Sequence, residues 1–533
     1  MLRSSSIPLD LPPRAHNIKQ IVFPERFFMF LRPLLLSSAA FALTATTALA
    51  DLKAQDVWMD WKSYIQGFGY SVQGAEATSG DRLTVSDLTL TIPLPEQNSQ
   101  ITLDMGAMSF TSLADGTVQI TVPDRLPMAF NMVSDGESEL AGTLTYDTTD
   151  LSLIVSGTPD DMTYDTSAAT LDMSLANLTV EGKPVDIGTL AMTMAGLTGT
   201  SNMKLGTIRN VVQSFAVDRL SYTVDLKAPD LETFKMTGAL NALSFNGTGA
   251  YPNAGSPKPQ NISALLASGF AFDGGFAYQN GNSTFEISES GQKTSGASSS
   301  QSGLLKVAMS AAGLHYGGEV TALSSTMTNS QFPLPVALTA EKSAFALTMP
   351  ISASDEAQDY GFKIELSNFT TSEMLWAMVD PTAQLPRNPA TLHIDLSGKA
   401  KLLFDMLDPD SIAALEAGAQ SPGEVNSVTL NALELSAAGA SLTGTGAFQI
   451  DNTDTRTFAG VPKPVGAVDL KLVGGNGLID KLVAMGLLPE DQAMGARMMM
   501  GLFTIPSETP DTLTSKIEVT EQGHVLANGQ RLR

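Results

Sequence analysis

Few residues in this chain of 533 amino acids are equipped for chemistry. Histidine occurs four times and cysteine not at all. His315, His393 and His524 are far apart, each embedded in a strand-like pattern. Without a thiolate, a zinc site would need His, Asp and Glu at close spacing, and no HExxH helix is present. The stretch "DNTDT" at 451–455 lacks the glycine and distal glutamate of a calcium loop. No GxSxG elbow offers a serine nucleophile. Asp160 with Asp161, and Asp408 with Asp410, have the residue types for acid–base work. Each pair stands beside a proline in a turn-like context that suits solvated carboxylates. The catalytic, cofactor and metal inventories therefore read as empty, and the expectation is a protein that is not an enzyme.

One stretch invites another reading. "VDLKLVGGNGLIDKLVAMGLL", 468–488, runs from strand-like alternation through Gly474 and Gly475 into a helical pattern, as a phosphate-binding corner would. A dinucleotide fingerprint needs a third glycine, but Gly475-Asn476-Gly477 is followed by Leu478-Ile479-Asp480, and an aspartate there would repel phosphate. No GK[ST] follows either. The corner reads as a bend from the last sheet into a helix that packs Leu478, Ile479, Leu482 and Val483.

The elements that must position these residues are mostly strands. In "RLTVSDLTLTIPLP" Leu83 and Val85 alternate with polar residues, and Leu88, Leu90 and Ile92 resume the alternation after a bulge at Asp87. "FAVDRLSYTVDLKAPD", "GFKIELSNF", "ATLHIDLSG" and "NSVTLNALELSA" repeat the texture. One face of each is apolar and the other Thr, Ser or Asp, with Gly, Asn-Gly or Pro turns between them. Buried parallel strands would read as continuous Val/Ile runs. The fold class is therefore mainly β: large antiparallel sheets in a meander, with a few amphipathic helices on the sheet or at its ends.

Residues 1–50 read as a leader. Arg32, an apolar run from Leu34 to about Ala45, and Ala48-Leu49-Ala50 make a Sec-type signal peptide cut after Ala50, with Met29 as the expected true start. No later segment approaches about 18 apolar residues, so no transmembrane span is expected after cleavage. The expected location is the periplasm. The formal charge of −24 argues against nucleic acid as a partner. In the absence of cysteine, burial alone must stabilise the core.

An N-terminal β-rich half, 51–287, opens with an amphipathic helix at 52–67 that presents Leu52, Val57, Trp58, Trp61, Ile65 and Phe68 on one face. The Ser/Gly run 288–303 reads as a flexible loop. A C-terminal β-rich half, 304–533, carries helices near 370–379, 400–417 (broken at Pro409) and 477–503.

The C-terminal order resembles the DUF2125 family of uncharacterised exported bacterial proteins. It comprises "LTGTGAFQIDN", a strand ending in Gly-Gly, the Leu-Ile-Asp-x-Leu helix, a Gly-Leu-Leu-Pro break and a last hairpin with Asn-Gly-Gln. "YGFKIELSNFTTSEMLWAMVDPTAQLPRNPATLHIDLSGKAKL" fits the same pattern, and the texture is loosely similar to AsmA-like envelope proteins. The resemblance implies an exported protein of a Gram-negative envelope and supplies no catalytic residues.

The expected function is non-enzymatic: a cell-envelope protein that binds a lipid or another hydrophobic partner on an extended sheet. Met105, Met173, Met192, Met194, Met236, Met309 and Met349 fall at strand positions and form the candidate groove lining, since methionine suits adaptable apolar surfaces. The alternatives are an interaction scaffold for another envelope protein with a closed core, and a polysaccharide-active β protein. A membrane barrel would carry aromatic girdles, whereas aromatics are 7% here and the chain ends in "QRLR".

Overall fold

The computed structural model describes residues 52–94, 99–134, 137–185, 188–227, 233–253, 262–417 and 422–533. The expected leader lies outside them. The described residues form one 26-stranded sheet, all of whose pairings are antiparallel, and six helices. All belong to a single compact unit.

The first helix, α1 (Ala54–Gly67), begins two residues inside the expected span. Two strands follow, β1 (Ser71–Ser79) and β2 (Arg82–Leu94). Asp87, with φ 53°, marks the predicted bulge, where the β1–β2 register slips. Between β2 and β9 (Asp161–Val180) the sheet splits into two tracks of short strands. One consists of β3 (Ser99–Asp104), β6 (Arg125–Ser134) and β7 (Glu137–Thr149). The other consists of β4 (Met108–Ser112), β5 (Val118–Thr121) and β8 (Ser152–Thr158).

After the short β10 (Lys183–Pro184), β11 (Thr189–Lys204) pairs with β9, and a long meander begins. Its next strands are β12 (Arg209–Lys227), β13 (Thr233–Tyr251), β14 (Ala271–Glu289), β15 (Gln292–Ser310) and β16 (Gly313–Asn329). It continues through β17 (Phe332–Met349), β18 (Gln358–Thr371), β19 (Ala390–Leu402), β20 (Gly423–Ala437), β21 (Ala440–Asp451) and β22 (Lys463–Val473). Each pairs with the next. Beyond β23 (Ile505–Pro506), β24 (Thr512–Val519) joins β22, and β25 (Val525–Ala527) and β26 (Gln530–Arg531) end the sheet.

The Ser/Gly run corrects one expectation. Residues 288–303 are not a loop: only Ser290 and Gly291 turn, and β15 then runs for 19 residues with no domain boundary. Its small hydroxyl side chains find partners on neighbouring strands, with Ser298 Oγ 2.8 Å from Ser283 Oγ and Ser302 Oγ 2.6 Å from Thr321 Oγ1. A serine-rich strand is thus satisfied laterally, a cue invisible in composition.

The remaining helices connect strands. They are α2 (Ile262–Ala267), α3 (Glu373–Val379), α4 (Pro409–Glu416), α5 (Gly475–Ala484) and α6 (Glu490–Phe503). Helix α3 starts after Ser372, because Thr370 and Thr371 still belong to β18. The predicted helix at 400–417 is wrong in its first half: 400–402 finish β19, and the helix begins at Pro409. There the carboxylate of Asp408 accepts a hydrogen bond from the Ser411 N–H.

A crease runs across the meander. Gly196, Ala242, Asn280, Ala322 and Asn368 adopt left-handed φ in the interiors of β11, β13, β14, β16 and β18. Each such residue shifts the side-chain alternation by one. Val217 and Leu220, on either side of the line in β12, therefore pack in the same core.

Candidate functional site

Directly opposed residues share a face of a sheet, so the pairings trace the apolar side strand by strand. One transverse row is Phe215, Phe245, Phe276, Leu305, Gly318, Phe345, Ile364, Ile394 and Leu433. A second runs Val307, Tyr316, Leu347, Phe362, Leu396 and Leu430. A third consists entirely of leucine: Leu366, Leu392, Leu435, Leu442, Leu472 and Leu513.

The burial of these rows changes along the chain. Over β2 to β12 the face is closed, with Leu83, Val85, Phe110, Val118, Tyr164 and Leu171 all at most 2% exposed. Within the strands from β14 to β22, among the described residues, Ala340 is the only buried apolar one, the buried Ile351, Leu385 and Phe404 lying in connections, while Phe276, Phe345 and Phe362 stand 39%, 41% and 45% exposed. A sheet packed against a second layer would bury those rings. The core is closed at one end of the meander and uncovered for the rest, which does not fit a core closed throughout.

On the uncovered face aromatic side chains lie over glycines. A Cβ at Gly318 would come within 2.8 Å of the Phe345 ring, and the Tyr278 ring similarly occupies the space above Gly303. The Phe245 and Phe276 centroids are 4.8 Å apart, those of Tyr316 and Phe345 5.1 Å. The opposite face is polar. There Lys342 Nζ is 2.8 Å from Glu319 Oε2 and Lys363 Nζ is 3.0 Å from Glu365 Oε2.

Helix α1 covers the closed end on the same apolar face. Tyr164 lies opposite Ser201, which lies opposite Gln213 and then Gly247, in line with Gly274 and Val307 of the second row. The Tyr164 hydroxyl donates to Asp60 Oδ2 at 2.9 Å, and Arg209 Nη1 stands 2.6 Å from Asp60 Oδ1. Burial, reinforced by the Asp60 charge, holds the Tyr164 hydroxyl well above the usual phenol range. The helix meets the sheet through Leu52, Val57, Trp58, Trp61 and Ile65, all buried as its spacing predicts, while Phe68, the last residue of the predicted face, is half-buried.

The methionines predicted as lining are dispersed. Met105 and Met194 are buried, and Met173 and Met192 pack against the closed core. Met236 is in β13, where it pairs with Phe285. Met309 and Met349 flank Leu314 at the opposite strand ends, beside a shallow cavity of about 590 Å³. Sequence reasoning missed Phe276, Leu305, Tyr316, Phe345 and Phe362, the residues that build the uncovered face. Their alternation was the available signal.

The chemical candidates take structural places. Asp161 holds Asn202 and Lys204, Asp408 caps α4, and Asp451 and Asp454 clamp Lys463. His315 and His393 are strand residues; His524 instead immediately precedes β25, in the turn after β24. The described residues contain no group of three His, Asp or Glu placed to hold a metal ion. The glycine corner does bend into α5, with Gly474 at φ 73°. The chain fills its anion site with its own carboxylate: Asp511 accepts from the N–H groups of Asn476 at 3.1 Å and Gly477 at 2.9 Å. Desolvation opposes ionisation of Asp511, but these N–H bonds prevail and lower its pKa.

Fold and face together define a one-sided antiparallel β-sheet protein, closed by a helix at one end and apolar and open beyond. The chain belongs to the DUF2125 family, described as an uncharacterized protein conserved in bacteria, whose model matches residues 220–528. That match starts within β12 and takes in the entire open face; it does not show the looser AsmA-like likeness. A search of curated proteins finds no match.

Proposed function

We propose that this protein is an exported, non-enzymatic component of the cell envelope that binds a lipid on the uncovered face of β14–β22. The observation that carries the reading is the exposure of the aromatic rows at Phe276, Phe345 and Phe362 on a face that no layer of the described residues covers. Contiguous apolar surface of this kind marks a binding site in a soluble protein. Acyl chains suit it, since they ask for no hydrogen bonds from a sheet whose backbone groups are already paired. Export rests on the leader pattern in residues 1–50.

A second reading, a scaffold for another envelope protein, is favoured by α1, which shows that an amphipathic helix can dock on this face. Native mass spectrometry of residues 51–533 purified gently from the periplasm, followed by lipid extraction, separates the two. A stoichiometric co-purifying lipid supports the lipid carrier. A lipid-free mass, or a bound polypeptide in its place, overturns it.

A further inference from the structure

The three most exposed large apolar side chains among the described residues are Met498 at 72%, Met494 at 71% and Met378 at 67%. All three lie at the same end of the strands. Helix α3 follows the end of β18 and α6 follows the end of β22, and alternate strands of an antiparallel meander run in the same direction. The spacing of Met494, Met498 and Leu502 places them on one side of α6, a stripe of about 12 Å. The leucine row from Leu366 to Leu513 is the transverse row of the apolar face nearest this end.

Neither helix projects through looseness. Helix α6 buries Ala493, pairs Arg497 with Asp480, and ends where the Phe503 carbonyl accepts hydrogen bonds from Ser515 Oγ at 2.7 Å and Asn528 Nδ2 at 2.9 Å. After α3, Asp380 accepts from the N–H of Leu385 at 2.7 Å and from Arg387 Nη1 at 2.7 Å, while the Arg387 guanidinium lies 4.6 Å from the Trp376 ring.

We propose that this rim docks on the surface of a neutral lipid bilayer, with the methionines of α6 and α3 entering the acyl boundary. The proposal rests on the lipid reading above, because it places the open face at the membrane from which a ligand would come. Charge selects the occupant. Glu490 and Asp491 open α6, and the chain carries −24, which disfavours both an anionic bilayer and a second copy. One short stripe is also small against the roughly 800 Å² per partner of a stable dimer. Unbranched methionine side chains on separate helices suit a fluid apolar phase.

The test is co-sedimentation of residues 51–533 with phosphatidylcholine vesicles, with and without phosphatidylglycerol. Met494→Glu/Met498→Glu/Leu502→Glu keeps good helix formers at exposed positions and should fold, as circular dichroism would verify. Partition of the wild type onto phosphatidylcholine should fall on the order of tenfold or more in the triple variant, each Glu removing an inserted apolar group. Met378→Glu, on the other helix, should weaken it independently. Lipid content by native mass spectrometry should not change in these variants, so failure of the rim and failure of the open face are distinguishable. Absence of wild-type partition, equal partition of the triple variant, or binding that requires phosphatidylglycerol would overturn the proposal. So would a dimer that the triple variant dissociates.

Discussion

Asp60 of α1 and Arg209 of β12 form an ion pair at 2.6 Å with side chains only 4% and 2% exposed. The pair is the buried polar centre of the contact between the first helix and the sheet, at whose edge Trp58 Nε1 donates to Glu76 Oε1 at 2.7 Å. Tyr164 completes it from β9, and the Arg209 guanidinium lies 5.4 Å from the Tyr64 ring.

Removing one partner should cost far more than removing both. Asp60→Ala leaves the Arg209 charge buried without a counterion, for a loss of about 3–5 kcal/mol. Asp60→Leu with Arg209→Met replaces the pair by apolar groups and should recover most of that loss. Urea denaturation of the single and double variants measures both. Equal losses would mean that stranding the Arg209 charge carries no penalty of its own.

Asp380 predicts a local acid response. Burial tends to raise its pKa, but the N–H groups of Leu385 and Gln384 and the Arg387 guanidinium outweigh burial and hold it down to about 2. A carboxyl depressed in the folded state contributes stability above its unfolded pKa, about 3.9. That stability is lost as pH falls through the folded value. The α3 loop should therefore loosen between about pH 4 and pH 2. Protection of residues 373–387 against hydrogen exchange, taken relative to the intrinsic rate at each pH, should fall across that window in the wild type and be low already at neutral pH in Asp380→Asn. An unchanged rate in the variant would show that the Arg387–Trp376 stack suffices by itself.

Much of the fold was legible because alternation and turn residues act locally. The bulge at Asp87, the face of α1 and the start of α5 all followed from such cues. What was not legible depends on partners remote in sequence. The serines of β15 read as a linker because their satisfaction comes from Ser283 and Thr321 on neighbouring strands. Asp511 could not be foreseen as the anion at the α5 terminus, 34 residues beyond Gly477. The dispersal of the methionines has a related reason. Period two tells which face a residue shares, but whether another layer covers that face is decided elsewhere. Met194 and Met309 thus look alike in sequence and differ in burial.

The crease carries a stabilising substitution. Ala322 adopts φ 48° within β16, a conformation in which its Cβ crowds the backbone at a cost of roughly 1–2 kcal/mol. Ala322→Gly relieves that crowding, partly offset by the greater freedom of glycine in the unfolded chain. A net gain of about 0.5–1 kcal/mol is expected, read as a higher Tm. Ala322→Val, β-branched and worse in the left-handed region, should lower it. A rise in Tm for the valine variant would remove the crease as a site of strain.

The final contrast sets the open face against the closed core. Leu171, at 2% exposed, packs in the cluster with Met194, Leu197 and Val217, so Leu171→Ala should leave a cavity and cost about 2–5 kcal/mol. Phe345, although larger, is 41% exposed, and Phe345→Ser should open a surface dent in place of a closed cavity. Its cost should stay near 1 kcal/mol, chiefly lost contact with Tyr316 and Gly318. Lipid occupancy should respond in the reverse order, falling in Phe345→Ser and holding in those Leu171→Ala molecules that remain folded. Denaturation and native mass spectrometry on the two variants give the full comparison. A loss of several kcal/mol on truncating Phe345 would place a covering layer over the face and remove the basis for a ligand there.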